Sequence, residues 1–97
     1  MEENFVKVLE GRFYLEIFSL NLSAEQRFIV NTCFKFMMDA LCTKDSVEKE
    51  NISEFETLVV KLYCVNREFV EEQIKDRETL LKATHIIDVV YQLFLNN

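Results

Sequence analysis

Proline is absent from this sequence, and glycine occurs only once, at Gly11. Tight hairpin turns depend on these two residue types, and an all-β fold needs many such turns. The composition therefore favours helices joined by polar loops. The 97 residues suffice for one domain with one hydrophobic core and are too few for two, so we expect residues 1–97 to fold as a single helical domain.

Long apolar runs are also missing. Near the start of the chain, charged residues such as Glu10, Arg12 and Glu16 interrupt the apolar ones, unlike the pattern of a secretory signal. No apolar run elsewhere is long enough to span a bilayer. We therefore expect no membrane contact and a location in the cytoplasm or the nucleus.

The three cysteines, Cys33, Cys42 and Cys64, form no CxxC motif and no cluster with histidine. Each lies in an apolar stretch with helical spacing, and their odd number argues against a disulfide framework. Free cysteine commonly behaves as a small core hydrophobe. We therefore expect reduced, buried thiols rather than disulfides or metal ligands.

Basic residues are outnumbered, since 11 Lys and Arg stand against 17 Asp and Glu and the formal net charge is −6. Phosphate binding needs clustered Lys and Arg, so direct binding of nucleic acid is not expected. Acidic residues do cluster, at Glu68, Glu71, Glu72, Asp76 and Glu78. We interpret this cluster as a solvated helix face. The alternatives are a docking surface for a basic partner, or an inhibitor that imitates the charge of nucleic acid.

Apolar spacing predicts a first helix over residues 3–20. Residues 12–18 could instead form a strand, with Phe13, Leu15 and Ile17 on one side of it. A second helix, over residues 24–42, follows a capping box of Ser23 and Gln26. Apart from Thr32, its interior polar residues are spaced by four and form one narrow polar stripe: Arg27, Asn31, Lys35 and Asp39. The residues beside that stripe are apolar.

The polar tract at residues 43–52 predicts an exposed connection, and a second capping box, of Ser53 and Glu56, predicts the start of a third helix. The apolar residues of this helix keep the 3-4-3-4 spacing of a coiled-coil seam, at Phe55, Leu58, Leu62, Val65 and Phe69. Asp76 is the predicted N-cap of a fourth helix. The apolar residues of this helix repeat the 3-4-3-4 spacing, at Leu80, Ala83, Ile87, Val90 and Phe94. Helices three and four are either separate or, because no glycine lies between them, one bent helix.

Four amphipathic helices and one long connection predict an all-α, antiparallel four-helix bundle. Helices two and four have polar stripes only one residue wide, and a domain this small has difficulty placing two helices at its centre. We therefore expect part of helix two or four to contact a second copy or a different protein. The candidate contact residues are Phe28, Phe36, Met38, Tyr91 and Leu95. The alternative is that packing within one chain covers them.

His85 is the only histidine, and it lies on the polar stripe of helix four with Asp88 one turn later. A solvent-facing histidine in mid-helix is the phosphoryl acceptor of phosphotransfer domains of the helical-bundle kind. Those domains commonly carry Lys and small residues after the histidine, whereas Ile86, Ile87 and Asp88 follow here, and an acidic neighbour would repel the phosphoryl group. An ordinary surface histidine is the favoured interpretation.

Spacings typical of catalytic or metal sites are missing as well. There is no Glu-x-x-His pair, and one histidine cannot serve as the base for three cysteines. We expect no catalytic residue, metal or cofactor, and we interpret the chain as a non-enzymatic protein-interaction module: an adaptor, an assembly subunit or a small inhibitor. The alternatives are a phosphotransfer domain with His85 as acceptor and an acidic inhibitor of a nucleic-acid-binding protein.

Overall fold

The structure, a computed structural model, describes residues 3–97 and contains four α-helices. Helix α1 spans Glu3–Ser19 and α2 spans Ala24–Lys44. A 3-10 turn at Lys49–Asn51 leads into α3, which spans Ile52–Gln73, and α4 spans Arg77–Asn96. Residues 3–97 include no β-strand, which confirms the prediction of an all-α bundle.

The backbone decides two alternatives that the sequence leaves open. Residues 12–18 are helical, as part of α1. Helices α3 and α4 are separate, because Ile74 has extended backbone angles (φ −110°, ψ 110°) that end α3. Asp76 then caps α4 as predicted, since its carboxylate accepts a hydrogen bond from the backbone N–H of Thr79 at 3.0 Å. The hydroxyl and the N–H of Thr79 hold the pKa of Asp76 below its ordinary value.

One of the two predicted capping boxes is present. Before α2, Ser23 Oγ accepts from the N–H of Gln26 at 3.1 Å, and the Gln26 side chain accepts from the N–H of Ser23 at 2.9 Å. The box predicted at Ser53 is wrong, because α3 already begins at Ile52. A side-chain cap needs an extended residue before the helix, whereas the 3-10 turn leaves Asn51 in the helical region (φ −104°, ψ −5°).

Contacts between helices show that successive helices run antiparallel. At the start of α2 the Gln26 side chain donates to the last carbonyl of α3 at 2.9 Å, and at its end Lys44 contacts Glu56 near the start of α3. Phe55, also near the start of α3, packs on Phe94 near the end of α4, with ring centroids 5.9 Å apart. Helices α2 and α4 therefore run parallel to each other.

Helices α2 and α4 form the centre of the molecule and share its most extensive helix–helix contact. Most of the largest fully buried side chains belong to these two helices: Val30, Phe34, Met37, Met38, Leu41, Ile87, Val90 and Phe94. Helix α1 packs mainly on α2, and α3 packs on both central helices. The molecule measures 42 × 28 × 19 Å, so it is about two helix layers thick. The expectation that so small a domain has difficulty placing two helices at its centre is therefore wrong.

Contacts with α1 explain how α2 can be central although it carries a polar stripe. Arg27 donates to the carbonyl of Leu20 at 3.0 Å, and its guanidinium lies 5.4 Å from the centroid of the Phe18 ring. Farther along α2, Lys35 forms a long ion pair with Glu10 at 4.0 Å. Arg27 and Lys35 of the α2 polar stripe thus connect α2 to α1 and to the loop that follows α1.

A buried lysine joins three helices at one end of the molecule. Lys44, the last residue of α2, is only 7% exposed. Its Nζ donates to the carbonyl of Phe94 at 2.6 Å, lies 3.3 Å from a carboxylate oxygen of Glu56, and is 4.6 Å from the centroid of the Phe94 ring. The tract predicted to be an exposed connection therefore contributes one of its residues to the packed interior.

Candidate protein-interaction surface

Helix α3 carries a row of exposed apolar side chains. Of the five residues in its predicted seam, Phe55 packs against the core. The other four are 38–62% exposed: Leu58, Leu62, Val65 and Phe69. Their spacing places them on one face of the helix over a length of about 17 Å. We call these four residues the α3 stripe.

The stripe is exposed because α3 reaches the core with a neighbouring face. Val59 and Val70 are buried, and each follows directly after a stripe residue. One residue corresponds to a rotation of about 100° around a helix, so the buried face and the stripe point in different directions. The coiled-coil spacing therefore marks an apolar face that the rest of residues 3–97 leaves uncovered.

A shallow groove of about 200 Å³ lies between α2 and α3 beside the stripe. Phe36 and Ala40 line it from α2, and Phe55, Leu58 and Leu62 line it from α3. Phe36 is half-buried there and packs against the core. The groove therefore extends the apolar surface from α3 onto α2, and it includes one residue of the predicted interface.

Charged residues border the stripe on the side away from α2. Lys61 and Glu68 each come directly before a stripe residue, whereas the residues directly after Leu58 and Val65 face α2: Val59 is buried, and the Asn66 carbonyl lies 3.9 Å from Cys33 Sγ. Both charged side chains are exposed, and within residues 3–97 neither forms an ion pair. We call Lys61 and Glu68 the charged rim of the stripe.

Polar contacts fix α3 to α4 behind the stripe. Arg67 holds the carboxylate of Asp88 through Nε at 3.1 Å and Nη2 at 3.2 Å, and the hydroxyl of Tyr63 donates to the same carboxylate. The Tyr63 ring stacks on Tyr91, with centroids 3.7 Å apart, and Arg67 also pairs with Glu71. Burial and the hydrogen bond to Asp88 both raise the pKa of Tyr63, so its hydroxyl remains a donor. These contacts determine which face α3 turns outward.

The predicted contact residues do not form one surface. Phe28, near the start of α2, is 71% exposed, and Leu95, near the end of α4, is 41% exposed. Because α2 and α4 run parallel, these two side chains lie at opposite ends of the molecule. Tyr91 is partly covered by its stacking on Tyr63. Met38 is fully buried, so its assignment to an interface is wrong: α2 is a central helix, and Met38 belongs to the core.

Several of the predicted acidic residues have partners within the chain. Glu71 and Glu78 each pair with a basic residue one turn away, and Asp76 caps α4. Within the described range, Glu68 and Glu72 form no ion pair and are exposed. The cluster is therefore not one continuous unpaired surface, because three of its members serve local structure.

His85 lies exposed on α4. The carboxylate of Asp88, one turn later, is held by Tyr63 and Arg67 of α3. Within residues 3–97, no hydrogen bond joins His85 to a cysteine. The geometry thus assigns Asp88 to the contact between α3 and α4.

The cysteines differ in their surroundings. Cys33 is buried as predicted, whereas Cys42 and Cys64 are exposed, which corrects the expectation of three buried thiols. Burial raises the pKa of the Cys33 thiol, and burial together with Asp39 raises that of Cys42. The reactive thiolate form of these two residues is therefore disfavoured at neutral pH.

Two further kinds of site were sought in the described part of the chain. No group of three His, Cys, Asp or Glu residues in it is placed to hold a metal ion. None of its helices combines the length and the apolar character that crossing a bilayer requires.

Helix α1 has a second exposed apolar face. Val8, Leu15 and Phe18 are 70–72% exposed on this face. Gly11 lies between Val8 and Leu15 and interrupts the apolar row, and the guanidinium of Arg27 covers part of Phe18. The α3 stripe is the stronger candidate because its row is uninterrupted and an apolar groove borders it.

The stripe, the groove and the charged rim are thus defined by the geometry of this chain alone. Comparison with protein-family models, with curated proteins and with solved structures found no match to the chain.

Proposed function

We propose that the chain is a non-enzymatic protein-interaction module whose α3 stripe binds another protein. One observation carries the proposal: four large apolar side chains stay exposed on one face of a helix whose orientation is fixed by its contacts with α2 and α4. Continuous exposed apolar patches commonly mark interaction sites in soluble proteins. A helix face with coiled-coil spacing is well suited to bind another helix.

The stripe supplies a modest part of the binding free energy. Fully burying a large apolar side chain contributes about 1.5–3 kcal/mol. The stripe residues are already about half covered, so the four together contribute roughly 4 kcal/mol. This is similar to the lower estimates of the free-energy cost of association. A micromolar affinity corresponds to about 8 kcal/mol net, so a partner must also cover the groove at Phe36 and bury apolar surface of its own.

The proposed role fits an intracellular protein, in the cytoplasm or the nucleus. Cys42 and Cys64 are free and exposed, and reducing compartments keep such thiols from forming disulfides between molecules. The proposal involves neither a cofactor nor a membrane. The net charge of −6 favours a protein over a nucleic acid as the partner.

Replacing both Leu62 and Val65 by glutamate is expected to weaken the affinity for the partner at least tenfold, because two carboxylates would have to lose their hydration water in the contact. Both side chains are exposed, so the fold should be retained. The measurement is affinity capture of the tagged chain from the cells in which it occurs, with quantification of the proteins retained.

Leu81→Glu is the matched control, because Leu81 is an exposed leucine on α4, outside the stripe. It should retain the same partners as the unmodified chain. Circular dichroism and urea unfolding establish that both variants are folded. The proposal is wrong if the folded double variant keeps every partner.

A further inference from the structure

We infer that the protein bound by the α3 stripe is a second copy of this chain, and that the two α3 helices pack antiparallel. The inference rests on the proposed function and adds the identity of the partner and its orientation. It is drawn from two properties of the stripe: the order of its apolar residues and the position of its charged rim.

The apolar residues of the stripe are complementary to themselves when one helix is reversed. In an antiparallel pair, Leu58 lies opposite Phe69 of the second copy, and Leu62 lies opposite Val65 of the second copy. The same contacts then occur twice around a twofold axis, as in an isologous dimer. Each layer joins one residue at a coiled-coil a position (Leu62 or Phe69) with one at a d position (Leu58 or Val65), which is the usual layer of an antiparallel coiled coil.

The charged rim supports this orientation. In the antiparallel register, Lys61 of each copy lies beside Glu68 of the other, so the same Lys–Glu ion pair forms twice across the contact. Within one chain the two residues are about 10 Å apart along the helix axis, too far for a direct pair. Their lack of ion pairs within residues 3–97 leaves both side chains available to the second copy.

A parallel arrangement offers no such pairing. It would place Lys61 beside Asn66 of the second copy, a residue whose carbonyl lies near Cys33 of α2. Glu68 would face Gln73, which carries no charge. Charge complementarity therefore favours the antiparallel arrangement over the parallel one.

The groove beside the stripe fits the same arrangement. The twofold axis places the α2 side of both copies on the same side of the contact, opposite the charged rims. The half-buried Phe36 of each copy, which lines the groove, then lies next to the second molecule. The contact thus covers the stripe and the groove together.

A charge-exchange experiment tests the inference. Lys61→Glu and Glu68→Lys should each weaken dimerisation roughly tenfold, because each variant replaces two attractive pairs by two repulsive ones. The double variant should restore the dissociation constant to within about twofold, since both pairs form again with the charges exchanged. Sedimentation over roughly 1–100 μM measures the dissociation constants. Lys49→Glu is the control for net charge, because Lys49 is exposed in the 3-10 turn, outside the stripe and its charged rim.

Each outcome decides the inference. Restoration by the double variant, with Lys49→Glu unchanged, supports it. A dimer that the single variants do not weaken, or that the double variant does not restore, overturns the antiparallel pairing. A wild-type chain that stays monomeric over this range also overturns it. If the chain stays monomeric, the proposed function still holds when the folded variant with Leu62 and Val65 replaced by glutamate captures fewer other proteins than the unmodified chain. The proposed function fails together with the inference when that variant captures the same proteins.

Discussion

Replacing Phe34 with alanine is expected to lower the free energy of unfolding by about 4 kcal/mol. Phe34 is fully buried in α2, and its ring makes edge-to-face contacts with the rings of Phe13 and Tyr14 of α1, at centroid distances of 5.9 and 4.9 Å. The substitution removes both ring contacts, each worth about 1 kcal/mol, and leaves a cavity between the two helices. Domains of this size have a total stability of about 5–15 kcal/mol, so the substitution should remove between about a quarter and most of it.

Urea unfolding followed by circular dichroism measures this loss. Phe28→Ala is the matched control, because it removes the same side chain from the same helix at a position that is 71% exposed. The control should change the stability by about 0.5 kcal/mol or less. A Phe34→Ala variant that is as stable as Phe28→Ala would contradict the central position of α2.

Replacing Lys44 with alanine is expected to lower the free energy of unfolding by about 3 kcal/mol. The variant loses the charged hydrogen bond to the Phe94 carbonyl, the ion pair with Glu56, the contact of the ammonium group with the Phe94 ring, and the burial of the lysine stem. The carbonyl lies in the last turn of α4, where a positive charge is also favoured by the helix dipole. The same urea measurement applies.

Lys44→Met separates packing from charge at this position. Methionine keeps most of the buried stem, and replacing a buried charge with an apolar side chain is often close to neutral, so the expected loss is only about 1 kcal/mol. Glu56 remains partly exposed and can regain water. If Lys44→Ala unfolds at the same urea concentration as the unmodified chain, the lysine does not join the three helices as described.

The helices could be predicted from local signals. Apolar spacing locates all four, Ser23 and Gln26 place the start of α2, and Asp76 places the start of α4. These signals act within one or two turns of chain, which is why they can be read without the fold. The predicted start of α3 at a Ser53 cap is wrong because a 3-10 turn precedes the helix. The backbone before Ser53 is therefore already helical, and Ser53 cannot act as an N-cap.

The position of each helix in the bundle could not be predicted in the same way. Periodicity shows which residues of a helix share a face, and it does not show what covers that face. Helix α2 has apolar residues on most of its circumference because it is surrounded by α1, α3 and α4, so Met38 belongs to the core. Helix α3 has the more regular seam, yet it packs through Val59 and Val70 and leaves that seam outside.

The contacts that orient α3 lie far apart in sequence. Asp88 meets Tyr63 and Arg67, which come 25 and 21 residues earlier. The one-turn spacing of Tyr63 and Arg67 indicates that they share a face, but nothing in the sequence identifies their partner on α4. The exposed face of α3 follows from this contact and therefore appears only in the folded chain.

A single tryptophan at position 69 tests most directly whether a second copy covers the α3 stripe. The natural chain contains no tryptophan, so the emission of a Phe69→Trp variant reports on the stripe alone. The account predicts that the emission moves to shorter wavelength as the concentration rises from roughly 1 to 100 μM, whereas a Phe28→Trp variant does not change. Emission of an exposed indole at every concentration would contradict the account.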